Sequence, residues 1–437
     1  MKIKKSARIP LSLFAALILL LSACGRSMEA APGVEEIAAR SAAAGFLAAK
    51  TEESGGFIAG TSRGDKKSDC AYLYDNALAI IALNCAGAQA QAEKIADAIV
   101  FAQGHDRSFQ DGRLRNAYIS GDPRSDSGRS IAAGRVTVRL PGFWKDGKWQ
   151  EDSYTVSTST GNMAWTILAL AYTAGKASAE KQTEYLAAAV RAADFVLTLE
   201  AEKGGFPAGY EGWDERQSKV TYVSTEHNID LACAFSALSD LLKERDPERS
   251  EAYREAAQRA RTFVLSMYDK KLHCFYTGVK SDGSTVSDGV IPLDTNSLAV
   301  LAMGESIEDP YQILSFVEER MAVGQGFDFG TGDLDGIWNE GTAQMAVCYW
   351  LLENTEKYGD VMSYLRTQIA EDGSLPAADR DGVSTGFAIA GSDTLWEYNN
   401  VQSISATGWL ALAQLGQNPF AYGLESEKNH EEEAGKK

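Results

Sequence analysis

The sequence predicts an all-α protein with an (α/α)6 toroid, in which six helical hairpins close into a ring. Three observations support this fold class. Six apolar helical runs each follow a short polar sequence, charged amphipathic segments alternate with these runs, and a glycine-aromatic sequence follows most of the amphipathic segments. Repetition at intervals of roughly 45 to 90 residues is typical of an architecture built from one recurring unit. We therefore expect one domain, residues 33–420.

The six apolar runs are predicted to be the inner helices of the ring. Each continues in residues that are apolar around most of the helix circumference, as expected for a helix that is buried on all sides. We call the three residues at the start of each run its signature. The signatures are Tyr74-Asp75-Asn76, Thr160-Gly161-Asn162, Glu226-His227-Asn228, Asp294-Thr295-Asn296, Glu340-Gly341-Thr342 and Ser405-Ala406-Thr407.

The amphipathic segments are predicted to be the outer helices. They span residues 34–50, 90–103, 180–200, 248–267, 311–322 and 357–370. In the third segment Tyr185, Ala188 and Phe195 share one helical face, and the charged side chains lie mostly elsewhere. Glycine followed by an aromatic residue or leucine, as in Gly204-Gly205-Phe206, predicts the end of such a helix.

The connections from outer to inner helices are long, and those from inner to outer helices are short. The long ones span residues 104–157, 201–223, 269–291 and 371–399. Long loops on a rigid scaffold are where binding sites are commonly built. The predicted topology turns the N-termini of all inner helices toward these loops, so Asp75, Glu226, Asp294 and Glu340 are expected around one rim.

This arrangement resembles the (α/α)6 six-hairpin glycosidase superfamily over nearly the whole mature chain, residues 33–416. The resemblance rests on the hairpin count and on two strings, Tyr74-Asp75-Asn76-Ala77-Leu78-Ala79 and Ser224-Thr225-Glu226-His227-Asn228-Ile229-Asp230. It implies a protein that acts on a poly- or oligosaccharide, and it does not single out one family or one sugar.

Glycoside hydrolysis needs one carboxyl group that donates a proton to the leaving oxygen and a second that activates water or attacks the anomeric carbon. The rim offers Glu226, Asp294 and Glu340 as catalytic candidates, with Glu226 as general acid and Asp294 or Glu340 as base. Helix capping is the competing interpretation, because acidic and amide residues at helix starts commonly serve as caps. It applies most directly to Asp294 and to Asp75, which is also a candidate for substrate binding.

Further candidates for substrate binding lie beside the rim and in the long loops. They are His227, Asn228, Trp144, Trp213, Trp338 and Trp396. Sugar rings present a C–H face that stacks on aromatic side chains. Gly341, next to Glu340, is small and is expected to leave space for a ligand. The competing interpretations are a structural hydrogen bond for His227 and loop packing for some of the tryptophans.

The first long loop carries seven arginines between residues 107 and 139. Arginine suits bidentate recognition of carboxylates, so this loop raises the hypothesis of a substrate that bears a uronate, sulfate or phosphate group. A surface whose arginines are paired within the protein is the competing interpretation.

The N-terminus has the pattern of an export signal. Basic residues precede the apolar stretch 11–21, which is too short to span a bilayer comfortably. The stretch ends at Leu21-Ser22-Ala23-Cys24, which resembles the bacterial lipobox. That resemblance implies removal of residues 1–23, lipidation of Cys24 and a lipid-anchored protein of the cell envelope that faces outside the cytoplasm. Residues 24–32 are expected to be a tether, and 421–437 a disordered tail.

The net charge of −18 argues against nucleic acid as a partner. Five further cysteines are dispersed and predict neither a disulfide framework nor a metal site, and neither a cofactor nor an oligomer is expected. Two alternatives to a hydrolase stay open. One is a lyase on a uronic-acid polymer that uses Tyr222, His227, Asn228 and the arginines of the first long loop. The other is a non-catalytic glycan-binding or assembly lipoprotein on the same fold.

Overall fold

The computed structural model describes residues 32–63, 66–67, 69–132, 134–389 and 392–421. The predicted signal peptide, Cys24 and the tail beyond residue 421 therefore lie outside the described residues. From Gly33 onward the chain forms one unit. No helix within the described ranges is both long and apolar enough to cross a membrane. Within the described residues, the five cysteines after Cys24 form no disulfide bond.

Thirteen α-helices occur in the described part of the chain. They are α1 (Val34–Arg40), α2 (Ala42–Ser54), α3 (Leu73–Cys85), α4 (Gln89–Gly104), α5 (Thr160–Ala174), α6 (Ala179–Leu197), α7 (Thr225–Leu242), α8 (Pro247–Ser266), α9 (Leu293–Ala302), α10 (Pro310–Met321), α11 (Asn339–Leu351), α12 (Thr355–Gln368) and α13 (Ile404–Leu415).

The odd-numbered helices from α3 to α13 form the inner ring. Each packs against the next along the chain, and α13 packs against α3, which closes the ring. Outside it, α2 packs on α13, and α4, α6, α8, α10 and α12 each pack on the preceding inner helix. The predicted (α/α)6 toroid is confirmed. The first outer helix is divided, because Ser41 adopts an extended backbone and its side chain caps α2 by accepting from the Ala44 N–H.

Short strands occupy the long connections. They are β1 (Thr61–Arg63), β2 (Lys66–Lys67), β3 (Cys70–Tyr72), β4 (Ala117–Ile119), β5 (Arg129–Ala132), β6 (Arg135–Val138), β7 (Phe143–Lys145), β8 (Lys148–Gln150), β9 (Thr158–Ser159), β10 (Gly209–Glu211), β11 (Ser218–Val220), β12 (Val223–Ser224), β13 (Tyr268–Asp269), β14 (Cys274–Phe275), β15 (Gly278–Val279), β16 (Val286–Ser287), β17 (Ala322–Val323), β18 (Gly326–Phe327), β19 (Leu375–Pro376), β20 (Val383–Ala388), β21 (Leu395–Tyr398) and β22 (Gln402–Ser403). All pairings are antiparallel, as expected for local hairpins and loop-to-loop contacts.

The two sequence repeats bind each other in the folded chain. The third residue of a signature accepts a hydrogen bond from a backbone N–H of the glycine-aromatic segment that precedes it; we call this contact a signature clamp. The pairs are Asn76 with Ile58, Asn228 with Phe206, Asn296 with Phe275, Thr342 with Phe327 and Thr407 with Leu375. Asn162 departs from the pattern and donates to Asn116 Oδ1. Each clamp fixes the start of an inner helix to the end of the preceding outer helix.

The chain after α13 returns to the interior of the ring. Phe420 is fully buried, and its ring centroid lies 5.3 Å from that of Trp165 on α5. Asn418 Nδ2 donates to the Leu301 carbonyl of α9 at 2.8 Å. Residues 418–420 therefore join two inner helices that are not consecutive in the ring.

Candidate active site

A cleft of about 540 Å³ opens at the N-terminal ends of α7 and α9. Its acidic residues are Glu226 and Asp294, in the first turns of these two helices. Aromatic residues from the long loops form much of its wall, together with residues of β12, β15 and β16. The lining includes Tyr222, His227, Lys280, Phe329, Phe387 and Trp396.

Glu226 occupies the first turn of α7, and 27% of its side chain is exposed. The surrounding protein removes enough water from its carboxyl group to raise its pKa to about 7. His227 Nε2 lies 3.4 Å from Glu226 Oε2. Desolvation lowers the pKa of His227 to about 4, so the imidazole is neutral at pH 7 and provides no compensating positive charge. Its Nδ1 is buried without a hydrogen-bond partner.

Asp294 faces the cleft from the neighbouring helix α9. Burial, followed by the charge of Glu226, raises its pKa to about 7. Its Oδ1 accepts a hydrogen bond from the Thr295 N–H at 2.6 Å, which is the capping contribution that the sequence suggested. Pro292, not Asp294, is the N-cap residue of α9. Asp294 therefore combines a local hydrogen bond with a position in the cleft.

Glu340 and Asp75 are more deeply buried, with 5% and 8% of their surfaces exposed. Tyr74 Oη donates to Glu340 Oε1 at 2.7 Å and accepts from Trp409 Nε1 at 2.9 Å. Desolvation raises the pKa of Glu340 to about 7, and desolvation together with the charge of Glu340 raises that of Asp75 well above its usual range. These two carboxyl groups belong to the same electrostatic cluster as Glu226 and Asp294.

Asp230 is a fifth carboxyl group of this cluster, which the sequence interpretation did not assign to the site. It lies on α7, four residues after Glu226, and 1% of its surface is exposed. The signal was present in the sequence, because residues four apart share a helical face. The apolar residues that follow Asp230 indicate a buried position, and burial by itself does not assign a catalytic role.

The structure corrects the interpretation of Asn228. Its side chain is fully buried, accepts from the Phe206 N–H at 2.8 Å and donates to the carbonyls of Phe206 and Ser224. These bonds use its hydrogen-bonding capacity within the protein. Asn228 is a signature clamp and not a substrate contact.

The expected space beside Gly341 is also filled. A Cβ atom at this position would lie 2.3 Å from Cε3 of Trp338. Trp338 is 1% exposed and packs between Phe329 and Tyr398, with ring centroids at 5.0 and 5.4 Å. The interpretation of Trp338 as a stacking surface for a sugar is therefore wrong. It supports Phe329, which does line the cleft.

The other three candidate tryptophans are exposed, and they lie in different parts of the structure. Trp396 lines the cleft and lies 5.7 Å from the ring of Tyr154. Trp213 is half exposed, and its Nε1 donates to the Glu151 carbonyl. Trp144 is 71% exposed and faces Trp149 across the β7–β8 pair. Of the candidates, Trp396 thus joins Glu226, Asp294 and His227 at the cleft described here.

The arginines of the first long loop are largely paired within the protein. Arg107 contacts Glu151 and Asp214, and buried Arg115 contacts Asp106 and Asp214. Arg113, Arg124 and Arg129 bind the nearby aspartates 111, 122 and 126. This pairing favours the structural interpretation of the loop over recognition of an anionic substrate.

Gly161 is a further residue that the sequence did not assign to the site. A Cβ atom there would approach His227 Cδ2 to 2.5 Å. The imidazole of His227 therefore occupies the space that a side chain at position 161 would need. This contact joins α5 to α7, and it depends on a distance between helices that no local pattern contains.

Among the described residues, one group of three carboxylates has oxygen atoms close enough to share a cation: Asp328, Asp333 and Asp335, within 4.8 Å of one another. Asp328 is buried, but its oxygens accept the N–H groups of Phe329 and Asp335. These bonds account for its position without an ion, so we assign no metal to this group.

No protein-family model matches the sequence. No curated protein sequence matches it either. Solved structures, in contrast, match over most of the chain. A structure described as a wild-type glycosidase aligns with a TM-score of 0.57 and 13% identity over 88% of this chain and 98% of its own.

The chain therefore shares the (α/α)6 toroid fold of these solved structures. A sugar epimerase from a ruminal bacterium aligns with a TM-score of 0.57 and 11% identity, over 87% of this chain and 98% of its own. An alpha-amylase from Clostridium perfringens aligns with a TM-score of 0.56 and 10% identity, over 86% and 97%. At these identities the similarities establish the fold, and the residues of the cleft must carry any argument about activity.

Proposed function

We propose that this protein is a glycoside hydrolase that acts on a neutral poly- or oligosaccharide, with Glu226 as general acid and Asp294 as its catalytic partner. One observation carries the proposal: carboxyl groups of neighbouring inner helices share one electrostatic cluster, and two of them face a cleft with aromatic walls. The glycosidase and alpha-amylase among the structural neighbours agree with this chemistry.

The protonation states suit acid-base catalysis at neutral pH. Glu226 and Asp294 each have a pKa raised to about 7 by burial, and the charge of Glu226 contributes to the shift of Asp294. Two interacting carboxyl groups of this kind tend to hold one proton between them. The protonated group can donate to the glycosidic oxygen while the ionised one activates water or attacks the anomeric carbon. Glu340 is buried and accepts a hydrogen bond from Tyr74.

A neutral substrate fits the electrostatics of the cleft. The buried carboxyl groups at its base provide no positive charge for an anionic group, and five of the seven arginines that suggested an anionic substrate are engaged by acidic residues. Tyr222, Phe329, Phe387 and Trp396 offer apolar faces on which a sugar ring can stack. Lys280, also in the lining, is available to donate a hydrogen bond to a hydroxyl group.

An epimerase is the second candidate, because His227 places a neutral imidazole at the cleft and sugar epimerases share the fold. A neutral imidazole has a free lone pair that can accept a proton from a carbon next to a carbonyl group. The same imidazole and Tyr222 would serve a lyase. A hydrolase releases new reducing ends, an epimerase changes one sugar into its epimer without cleavage, and a lyase leaves an unsaturated product that absorbs in the ultraviolet.

We also propose, from the sequence around Cys24, that the protein is held at the outer face of a membrane by a lipid. Wild-type protein should incorporate labelled palmitate, and Cys24→Ser should prevent this incorporation. Absence of the label from the wild-type protein, or equal labelling of the variant, would contradict this localisation.

The test of function is incubation of the purified protein with a panel of neutral and uronic-acid glycans, with mass spectrometry of the products. We expect cleavage of a neutral glycan with one added water per bond, and loss of cleavage in Glu226→Gln and Asp294→Asn. Binding without any product would instead support the non-catalytic alternative.

A further inference from the structure

Glu226 and Asp230 lie one helical turn apart on α7 and face the interior of the ring. Residues at this spacing are neighbours on a helix surface. Like charges at this spacing destabilise a helix even when both are exposed to water. A buried pair of carboxyl groups therefore requires a physical explanation.

Asp230 lacks the partners that a buried carboxylate normally has. Its surface is 1% exposed, and neither Oδ1 nor Oδ2 has a hydrogen bond of normal geometry. The Glu226 carboxyl group and the Trp165 indole face it, and among the described residues Trp165 Nε1 has no hydrogen-bond partner of normal geometry either. An ionised carboxylate in this position would pay a large desolvation penalty, so the neutral form is favoured.

The charged and titratable groups around Asp230 give it no positive charge. They are Glu226 on its own helix, Asp294 on α9 and Tyr74 on α3, and α5 presents the uncharged Trp165. Burial, followed by the charge of Glu226, raises the pKa of Asp230 well above its usual range. Glu226, which keeps some exposure to the cleft, is the member of the pair that ionises first.

We propose that Asp230 is a positioning residue that shares one proton with Glu226, so that the pair retains this proton when either carboxyl group alone would lose it. The catalytic part of this inference rests on the proposed function, because the shared proton is the one that passes to Glu226 and from there to the glycosidic oxygen. The sharing itself is a property of α7 and its neighbours and can be measured without a substrate.

Unfolding measurements at two pH values test the sharing directly. A carboxyl group whose pKa is raised in the folded state makes the protein less stable as pH increases from its unfolded value toward its folded value. Asp230→Asn and Glu226→Gln should therefore each raise the Tm relative to wild type more at about pH 8 than at about pH 5. The double variant should gain less than the sum of the single gains at the higher pH, because removing either group relieves the same repulsion.

Asp240→Asn is the matched control. Asp240 lies on the same helix near its C-terminal end, away from the cleft. Combined with Glu226→Gln, it should give additive changes in Tm at both pH values. Additive changes for the Asp230 pair at the higher pH would overturn the proposal.

A titration of the wild-type protein covers the case in which Asp230→Asn does not fold. With the aspartate side-chain carboxyl carbons labelled with 13C, Asp230 should appear as a protonated group at neutral pH. Its titration should move to lower pH in Glu226→Gln. An Asp230 resonance that is ionised at neutral pH, or that does not respond to Glu226→Gln, would also overturn the proposal.

Catalysis supplies a separate readout once a substrate is known. In Asp230→Asn the basic limb of the kcat/KM profile should move toward acid by about one pH unit, because Glu226 alone, and no longer the pair, then holds the last proton of the site. A residue with a merely structural role would change stability and leave the limb in place. If no glycan is cleaved, the proposed function is wrong. The unfolding measurements still show whether Glu226 and Asp230 share a proton.

Discussion

Desolvation, more than ion pairing, governs the carboxyl groups at the start of the inner helices. It is the largest cause of the raised pKa of Asp75, Glu226, Asp294 and Glu340. Elsewhere the protein pairs its buried charges, as Arg115 does with Asp106. A cluster of uncompensated acids costs stability, and such a cost is typical of sites that are selected for chemistry.

Tyr74 provides a residue-scale prediction. Its hydroxyl group bridges Glu340 and Trp409, so Tyr74→Phe leaves a buried acceptor and a buried donor without a partner. We expect the free energy of unfolding to fall by about 1–3 kcal/mol. Chemical denaturation monitored by circular dichroism measures this change.

Tyr311→Phe is the control for this substitution. Tyr311 also donates its hydroxyl hydrogen bond, to the Leu352 carbonyl, but it is 52% exposed. Its loss should change stability by no more than about 0.5 kcal/mol. Equal effects of the two substitutions would show that the Tyr74 bridge has no special importance.

At the scale of single residues, the sequence was informative about position and less so about role. It placed Glu226, Asp294, Glu340 and Asp75 at one rim because helix starts repeat along the chain. It could not separate Asn228, whose bonds go to Phe206, from a residue that faces the cleft. That distinction depends on which backbone lies opposite the side chain, and this is fixed only by packing.

At the scale of elements, the signature clamps explain why the polar residues recur. Five of them join an inner helix to the segment that ends the preceding outer helix. Both partners were visible as separate repeats in the sequence, and their mutual hydrogen bonds were not. The strands, which are two to six residues long, were not predicted, because runs this short have little measurable periodicity.

We expect the loss of a signature clamp to lower the stability of the fold and to leave substrate binding unchanged. Asn228→Ala removes the three hydrogen bonds of a fully buried side chain and should lower the free energy of unfolding by about 2–4 kcal/mol. The KM of the folded fraction should stay near that of wild type. Asn400→Ala, which removes two bonds from an exposed amide, is the control and should cost less. A large increase in KM with unchanged stability would restore Asn228 as a substrate contact.

The β7–β8 hairpin predicts a difference between long and short substrates. Trp144 and Trp149 form an exposed pair whose ring centroids lie 5.8 Å apart, and neither lines the cleft. We expect Trp144→Ala to raise the KM for a polysaccharide severalfold, because stacking on one aromatic ring is lost.

Turnover of a short oligosaccharide should be unaffected by this substitution. Ile131→Ala is the control, because Ile131 is also an exposed apolar residue of the same long loop. Equal loss of activity on long and short substrates would place Trp144 in the catalytic cleft and contradict this account.

At the scale of the whole molecule, the closure of the helical ring was predictable from the sequence. The contacts of residues 418–420 inside this ring were not. Six repeats of similar length indicate a closed ring because each hairpin needs a neighbour on both sides. Residues 418–420 lie beyond the last repeat, and nothing in their sequence shows that Phe420 enters the interior. This contact belongs to the assembled ring and has no local signal.

Phe420→Ala tests the importance of this contact. The phenyl ring of Phe420 is fully buried against Trp165, so its removal leaves a cavity. We expect a loss of about 3–5 kcal/mol in the free energy of unfolding. Ile131→Ala, at a position that is 78% exposed, should change it by less than about 0.5 kcal/mol. A small effect at Phe420 would mean that the ring is equally stable without the returning segment.

The central claim is that the carboxyl cluster at the mouth of the ring cleaves glycosidic bonds. The most direct measurement is kcat/KM against pH on a cleaved neutral glycan, for wild type, Glu226→Gln and Asp294→Asn. We predict a bell-shaped wild-type profile centred in the neutral range, because both groups have a pKa of about 7. Each substitution should lower kcat/KM by about 10²–10⁴-fold with the fold intact. Unchanged cleavage by both variants would contradict the account.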